Sequence, residues 1–364
     1  MATTRRKAGD PVNVTASPVP ASAPVQRRRL QLADIARLAG VSTSTASRAL
    51  SSSTLVNEET RKRVSELARS LNYAINAGAK SLRLRQNNTV GLVLPYFSSS
   101  RQRVTDPFFL ALIGNIANAL TDRGMEVILS RVSEDHLDTA GQLYDTGRAI
   151  GIMVIGQWHH HEQLNELATR QVPLVVWGAQ MPHQFYCTVG SDNIGGGRDA
   201  TRHLLACGRR RIAFLGDITQ PEVTLRYQGY LQAHADHGIR PLEKLRVSTA
   251  FEGDKARVDI EQMMARGIRF DAVFAASDVI AITAIGVLMR AGLRVPQDVA
   301  VVGFDDVELA RYYHPSLTTM HQPIEQAAEI MADRLLQIAA GRSAPSHLLP
   351  ATLVERESTA PLVA

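Results

Sequence analysis

The stretch DAVFAASDVIAITAIGVLMRAGLRVPQDVAVVGFD, residues 271–305, contains two nearly continuous apolar runs with a helical pattern between them. The runs DAVFAAS (271–277) and DVAVVGFD (298–305) are typical of strands buried on both faces of a parallel sheet. The segment 278–292 between them has the length and composition of a helix. Strand, helix and strand in this order are the repeating unit of a doubly wound α/β fold, so this stretch predicts that fold.

The same alternation of strand and helix patterns extends outward from this stretch to Thr89. The further runs predicted as strands are TVGLVLP (89–95), MEVILSRV (125–132), GIMVIG (151–156), VPLVVWG (172–178) and RRIAFLGD (210–217). Because these units are too many for one lobe, we expect two lobes of doubly wound parallel sheet that enclose a cleft. Ligands of such sheets bind beyond the carboxyl ends of the strands.

Polar and aromatic residues near those strand ends indicate the chemistry of a ligand. The candidates are Asp106, Phe108, Arg226, Phe251, Ser277, Asp278 and Asp305. Carboxylates and an arginine make fork-like hydrogen bonds to vicinal hydroxyls, and an aromatic ring (Phe108 or Phe251) covers an apolar sugar face. The pattern indicates a polyol, above all a saccharide. Taken singly, Asp106 and Asp278 are also explained as helix caps or turn residues.

The charge of the chain is concentrated at its N-terminal end. Residues 1–88 contain 15 Lys and Arg against 5 Asp and Glu, whereas residues 89–364 contain 25 against 30. A basic first quarter predicts a polyanionic partner, with nucleic acid ahead of a membrane surface. An inert basic tail would account for residues 5–7 and 27–29 but not for the other basic residues.

Three short helical patterns lie in this basic region, LADIARLAG (32–40), STSTASRAL (42–50) and NEETRKRVSELARSLNY (57–73). The first stops at a glycine, and the third starts with Asn57 as its N-cap. The spacing predicts a helix-turn-helix with a third helix packed beneath it.

The second of these helices is rich in Ser and Thr, which are short enough for close approach to the major groove and polar enough to bond phosphates and base edges. The expected roles are Ser42 as helix cap, Thr43 and Ser44 on bases, and Thr45 and Ser47 on phosphates or base edges. Arg48 is the long donor suited to the O6 and N7 atoms of guanine. A helical hairpin with a Ser/Thr-rich surface is the alternative.

The flanking segments have different compositions. Residues 1–29 are rich in Pro, Ala and Ser without periodicity, which predicts a disordered tail, with a transit peptide as the alternative. Residues 76–88 place Lys80 and two arginines around Leu82, which fits a hinge helix whose leucine enters the minor groove. A linker whose leucines pack on the next domain explains the same residues.

The remaining composition argues against several other classes of protein. Cys187 and Cys207 are too few for a disulfide framework, and neither they nor the run WHHH (158–161) have metal-ligand spacing. No apolar run reaches the length of a membrane span, the N-terminus lacks the apolar core of a secretory signal, and no nucleophile elbow or phosphate loop occurs. We therefore expect a cytoplasmic protein without a metal, a cofactor or catalytic residues.

The runs LADIARLAGVSTSTASRAL, VNEETRKRVSELARSLNY and NAGAKSL resemble the DNA-binding headpiece and hinge helix of the lactose/galactose-repressor family of bacterial transcription regulators. The runs at 189–217 and 271–323 resemble the effector core of the same family, so that the resemblance covers residues 31 to about 356. Two positions depart from the family pattern: Gln31 replaces the usual threonine N-cap, and Ile75 replaces the usual proline.

The resemblance implies a periplasmic-binding-protein-like core and a homodimer that binds a pseudo-palindromic DNA operator. It also implies that the protein represses carbohydrate-utilisation genes, that a sugar inducer relieves this repression, and that the protein is associated with the bacterial nucleoid. It implies that Thr43, Ser44 and Arg48 read the operator, that Tyr73 and Asn76 help to position the DNA backbone, and that Leu82 intercalates. Arg226 and Asp305 fall on ligand-contacting positions, with Phe251, Ser277 and Gln322 as further contacts.

The expected domains are a tail (1–29), a helix-turn-helix domain (30–75), a hinge (76–88), a two-lobed domain (89–358) and a C-terminal tail (359–364). Within the two-lobed domain we expect lobe 1 to comprise 89–207 and 318–341, and lobe 2 to comprise 208–317 and 345–358, with crossovers near Cys207 and at 314–322.

Two other functions remain open. A solute-binding protein explains the α/β core but requires export and leaves the basic quarter unused. A sugar enzyme with Asp278 and Asp305 as an acid and base pair would turn over any bound saccharide. The sequence does not fix the effector, the operator or the sign of regulation.

Overall fold

The computed structural model describes residues 30–50, 53, 55–71, 87–96, 105–158 and 160–360, which fall into two units, one ending at Leu71 and one beginning at Asn87. Four predicted DNA contacts lie outside the described residues: Tyr73, Asn76, Lys80 and Leu82. Within the described ranges, every helix is too short or too polar to cross a membrane.

The first unit consists of three helices, α1 (Leu32–Leu38), α2 (Thr43–Leu50) and α3 (Glu58–Ser70). Its core is formed by one apolar face from each helix, with Ile35, Ala36, Ala46, Ala49, Val64 and Ala68 buried. The Asp34 carboxylate accepts the backbone N–H of Gln31 at 2.9 Å. This bond stabilises the start of α1 in the absence of a threonine cap.

The described part of the second unit contains two six-stranded sheets, each with its own helices. Lobe 1 comprises β1 (Thr89–Tyr96), α4 (Pro107–Asp122), β2 (Glu126–Ser133), α5 (Gln142–Asp145), β3 (Ile152–Ile155), α6 (His161–Thr169), β4 (Leu174–Trp177) and β5 (Cys187–Ser191). Lobe 2 comprises α7 (Asn193–Ala206), β6 (Ile212–Leu215), α8 (Pro221–Asp236), β7 (Arg246–Val247), α9 (Gly253–Ala265), β8 (Ala272–Ala275), α10 (Asp278–Arg290), β9 (Ala300–Asp305), α11 (Leu309–Tyr312) and β10 (Thr318–His321).

The C-terminal elements return to both lobes. Helix α12 (Ile324–Ala339) and β11 (His347–Leu349) join lobe 1, and β12 (Thr352–Val354) joins lobe 2. The strand orders are β11-β5-β4-β3-β1-β2 and β12-β10-β9-β8-β6-β7. All pairs are parallel except β10 with β12. The expected doubly wound α/β architecture is therefore confirmed.

The first crossover between the lobes differs from the expected position near Cys207, whereas the second, at 322–323 between β10 and α12, falls at the end of the expected segment 314–322. Helix α7 packs on α8 and against β8, β9, β10 and β12, so the first crossover precedes residue 193 and does not lie near Cys207. The reason is that Ala200, Leu204 and Leu205 of α7 pack in a cluster with the phenylalanines of the lobe 2 sheet. Strand β10 pairs with β9, so 318–321 belongs to lobe 2, and β11 pairs with β5, so 347–349 belongs to lobe 1.

A close crossing of α7 and α8 depends on glycine. A Cβ atom at Gly197 would lie 2.2 Å from the backbone oxygen of Arg226, and one at Gly229 would lie 2.1 Å from the backbone oxygen of Ile194. Backbone atoms cannot move aside as flexible side chains can. The close crossing therefore sets the position of the Arg226 backbone on α8.

Replacing Gly197 by alanine is expected to lower the free energy of unfolding by about 1–3 kcal/mol, because the added methyl group overpacks the crossing. Urea unfolding followed by circular dichroism measures the change. Gly114→Ala is the control, since Gly114 is exposed on α4 and an added Cβ there meets no described atom within 4 Å. The control should gain about 0.5–1 kcal/mol from helix propensity. Equal stability of the Gly197 variant and the parent would contradict the tight crossing.

Candidate ligand cleft and nucleic-acid interface

The carboxyl ends of the two sheets meet within the second unit. Burial raises the pKa of Glu222 at the start of α8, and the backbone of Ala179, just after β4 in lobe 1, opposes this shift, so the two lobes approach each other here. Asp106, at the start of α4 in lobe 1, is close enough to Asp305 of lobe 2 to help raise the pKa of that carboxyl. These contacts place a cleft between the lobes where ligands of doubly wound sheets bind.

Arg226 lies on α8 at the carboxyl end of the lobe 2 sheet and is almost fully buried. Its guanidinium carbon is 3.7 Å from the centre of the Phe304 ring, and its Nε donates to Asn193 Oδ1 at 2.8 Å. Its Nη1 donates to the carbonyl oxygen of Ala276 and lies 4.0 Å from Asp305 Oδ1. Burial lowers the pKa of Arg226, and the neighbouring acids oppose this change. The guanidinium is thus held rigidly beside a carboxyl group.

Asp305 ends β9 next to Arg226 and is also bound by Gln322, whose Nε2 donates to Asp305 Oδ1 at 2.7 Å. Burial raises the pKa of Asp305, and Arg226 opposes this shift. The backbone φ of Asp305 is +126°, a strained value for a residue with a side chain. The structure therefore brings together three of the predicted ligand contacts.

Ser277 and Asp278 lie behind this cluster. The Ser277 hydroxyl accepts the N–H of Ile280 and caps α10. Asp278 is fully buried and accepts the Thr319 hydroxyl at 2.5 Å and the N–H of Val307 at 2.9 Å. Both Asp278 oxygens are therefore bonded within lobe 2, so this carboxyl holds the end of β9 in place.

The three remaining predicted ligand contacts are Asp106, Phe108 and Phe251. Asp106 caps α4 by accepting the N–H groups of Phe108 and Phe109. Phe108 packs in the core of lobe 1 with its ring centre 5.9 Å from that of Trp177, because it shares the buried face of α4. This differs from the expectation that its ring covers a sugar. Phe251 is half-buried after β7.

The buried acids predict a dependence of stability on pH. Burial raises the pKa of Asp278 to about 7 from an ordinary value of 3.8. The folded state therefore binds the proton of the Asp278 carboxyl more tightly than the unfolded state does. Protonation of Asp278 stabilises the fold fully below about pH 4, and this stabilisation is lost as the pH rises towards 7. As the pH rises through that range, ionisation of Asp278 is expected to lower the free energy of unfolding by up to about 1.4 kcal/mol per pH unit.

Urea unfolding at several pH values between 4.5 and 7.5 tests this. Asp278→Asn should flatten the profile, and Asp254→Asn, an exposed change on α9, should leave it unchanged. The same slope in all three proteins would contradict the assignment.

The predicted nucleic-acid interface is the outer face of α2. The Ser42 hydroxyl accepts the N–H of Thr45 at 3.1 Å, which caps the helix as expected. Thr43, Ser44 and Arg48 are exposed, whereas Ala46 and Ala49 are buried against the other helices. Thr45 and Ser47 are half-buried at the border between the two faces. Short polar side chains thus cover the face that is free to approach a groove.

Two contacts of the cleft were missed by sequence reasoning. Asn193 precedes the glycines of α7 and follows the short strand β5, which has no long apolar run to reveal it. Phe304 is a strand residue in an apolar run, so nothing in the pattern separates its role beneath Arg226 from ordinary core packing.

Comparisons with known proteins agree with this architecture. Residues 31–76 match the family model of bacterial regulatory proteins of the lacI family, and residues 201–359 match that of the periplasmic binding protein-like domain. The HTH-type transcriptional regulator CelR of Thermobifida fusca is 34% identical over 342 residues, which cover 92% of this chain and 99% of that protein.

Two solved structures extend the similarity. The Lac repressor dimer bound to operator and the anti-inducer ONPF has a TM-score of 0.81 at 26% identity, covering 92% of this chain and 100% of that one. The complex of the transcriptional regulator CelR with cellobiose has a TM-score of 0.69 at 31% identity, covering 91% and 100%. The chain belongs to the lacI family of bacterial regulatory proteins.

Proposed function

We propose that this protein is a transcriptional repressor whose affinity for a DNA operator is controlled by a sugar-like effector bound between the lobes. The observation that carries the proposal is the buried cluster of Arg226, Asp305 and Gln322, with Asp106 beside it. A guanidinium next to a carboxyl group offers donors and acceptors at a spacing that matches vicinal hydroxyls. The CelR complex with cellobiose shows a sugar bound to a structural relative.

Regulation then follows from a difference in effector affinity between two arrangements of the lobes. The cleft walls come from different sheets, so a ligand that contacts both changes the relative stability of open and closed states. Residues 76–88, the proposed hinge, would pass this change to the helix-turn-helix domain at 30–75.

The partners proposed for the chain are double-stranded DNA and a second copy of itself. The Lac repressor structure similar to this chain is a dimer bound to operator. A homodimer would place two copies of α2 in successive major grooves of a pseudo-palindromic site. The proposed location is the bacterial cytoplasm, at the nucleoid.

Two other functions fit the chain less well. An enzyme that uses Asp278 and Asp305 as an acid and base pair is disfavoured because both Asp278 oxygens are bonded internally. A solute-binding protein leaves the exposed polar face of α2 without a use. We therefore propose a regulator without catalytic activity.

Selection of DNA sites from a random pool by the purified protein, at fixed salt and with a panel of mono- and oligosaccharides, tests the proposal. We expect an enriched palindrome whose binding responds to a sugar. Absence of enrichment under every condition would overturn it, and turnover of a bound sugar would favour the enzyme.

A further inference from the structure

A second group of polar side chains lies at the carboxyl ends of the strands, away from Arg226 and Asp305. Gln220 precedes α8 after β6, and Thr249 follows β7, both in lobe 2. In lobe 1, Gln157 follows β3, and Ser191 is the last residue of β5. Their exposed fractions are 8%, 3%, 0% and 2%, respectively. These four residues are the second polar group.

Each member of the second polar group has a buried atom that forms no hydrogen bond with the part of the chain that the structure describes. The atoms are Gln220 Oε1, Thr249 Oγ1, Gln157 Oε1 and Ser191 Oγ. A buried polar atom without a partner costs about 1–3 kcal/mol. Four such atoms at the strand ends that border a cleft therefore point to a ligand that supplies the bonds.

The chemistry of the second polar group restricts that ligand. Gln157 Nε2 already donates to the Tyr186 hydroxyl at 2.9 Å, so its oxygen is the atom available for a ligand. The two amide oxygens accept hydrogen bonds, and the two hydroxyls can donate or accept. None of the four side chains is charged. This part of the cleft therefore suits a neutral ligand with several hydroxyl groups.

The strand order gives the extent of the ligand. In the lobe 2 sheet, Asp305 ends β9, whereas Thr249 follows β7, and β8 and β6 lie between these strands. Three strand spacings amount to roughly 14 Å. One sugar ring is too short to reach both ends of this distance, whereas two linked rings can.

We propose that the effector is an uncharged oligosaccharide of at least two rings. The first ring binds at Arg226 and Asp305, and the second binds at Gln220 and Thr249. Gln157 and Ser191 contact the ligand from lobe 1. The inference rests on the proposed function, because it takes the cleft to be the effector site.

Calorimetric titration of the full-length protein tests the proposal. The ligands are glucose, galactose, mannose and xylose, each compared with its α- and β-linked disaccharides. We expect one disaccharide to bind at least about 100-fold more tightly than its monosaccharide, since the second ring adds two or more hydrogen bonds and buries apolar surface.

Variants separate the two rings. Gln220→Met and Thr249→Val preserve side-chain size and remove one polar group each, so each should weaken disaccharide binding about 5- to 10-fold and leave monosaccharide binding within about 2-fold. The matched controls are Gln232→Met on α8 and Thr121→Val on α4, both at exposed positions. Retained operator binding shows that each variant is folded.

The outcomes distinguish this inference from the proposed function. If a monosaccharide binds as tightly as its disaccharides and releases the operator, the inference is wrong and the proposed function stands. If Gln220→Met and Thr249→Val bind the disaccharide as the parent does, the second-ring assignment is overturned. If no saccharide binds and operator binding responds to none, both proposals fail.

Discussion

Replacing Arg226 by methionine should abolish the response of operator binding to the effector and should weaken effector binding by at least about 100-fold. The guanidinium supplies charged hydrogen bonds, worth about 1.5–3 kcal/mol each, that methionine cannot make. Burial raises the pKa of Asp305 and Arg226 opposes this shift, so removing the guanidinium favours the neutral carboxyl, and the protein is expected to fold. Operator binding by fluorescence anisotropy, titrated with the effector, gives the result.

Arg202→Ala is the control for this change. Arg202 is exposed on α7 and paired with Asp199 one turn earlier, so its loss should leave the effector response unchanged. A surface ion pair of this kind contributes about 0–1 kcal/mol to stability. A full effector response in the Arg226 variant would remove this residue from the proposed site.

The strands of the sheet centres could be predicted from sequence because burial on both faces leaves long apolar runs. Strand β1 is an example, with six consecutive buried residues between half-buried ends. The short edge strands carried no such signal: β7 has two residues, and β11 and β12 have three each. The segments 318–321 and 347–349 were assigned to the wrong lobes, since assigning β10 and β11 to a lobe requires knowing which strands they pair with.

The ligand cluster was predicted in part because charged residues that directly follow buried strands lie at the edge of the sheet where ligands bind. Arg226, Asp305 and Gln322 do converge, but sequence position could not show that Asp278 points inward to Thr319 and Val307. Nor could it reveal that Gln220 Oε1 and Thr249 Oγ1 are buried without hydrogen-bond partners among the described residues, because isolated polar residues in loops are usually exposed. Burial at those positions is a property of the assembled cleft.

Replacing Arg48 by alanine is expected to remove discrimination at one guanine of the operator half-site. Arg48 is exposed in the last turn of α2, on the face opposite the buried Ala46 and Ala49. A bidentate contact from arginine to guanine O6 and N7 is worth about 1–3 kcal/mol of discrimination, or roughly 5- to 150-fold. Binding to the selected site and to its three single-base variants at that position, at constant salt, measures the loss.

The salt dependence of binding separates base reading from contact with phosphate. A phosphate contact contributes equally on every sequence, and its loss reduces the slope of log affinity against log salt by about one. If Arg48 reads a base, the variant should bind all four sites with similar affinity and keep the parent's salt slope. Arg69→Ala, an exposed change at the end of α3, should preserve discrimination. Uniform weakening on all sites with a smaller salt slope would instead assign Arg48 to the DNA backbone, leaving sequence reading to Thr43 and Ser44.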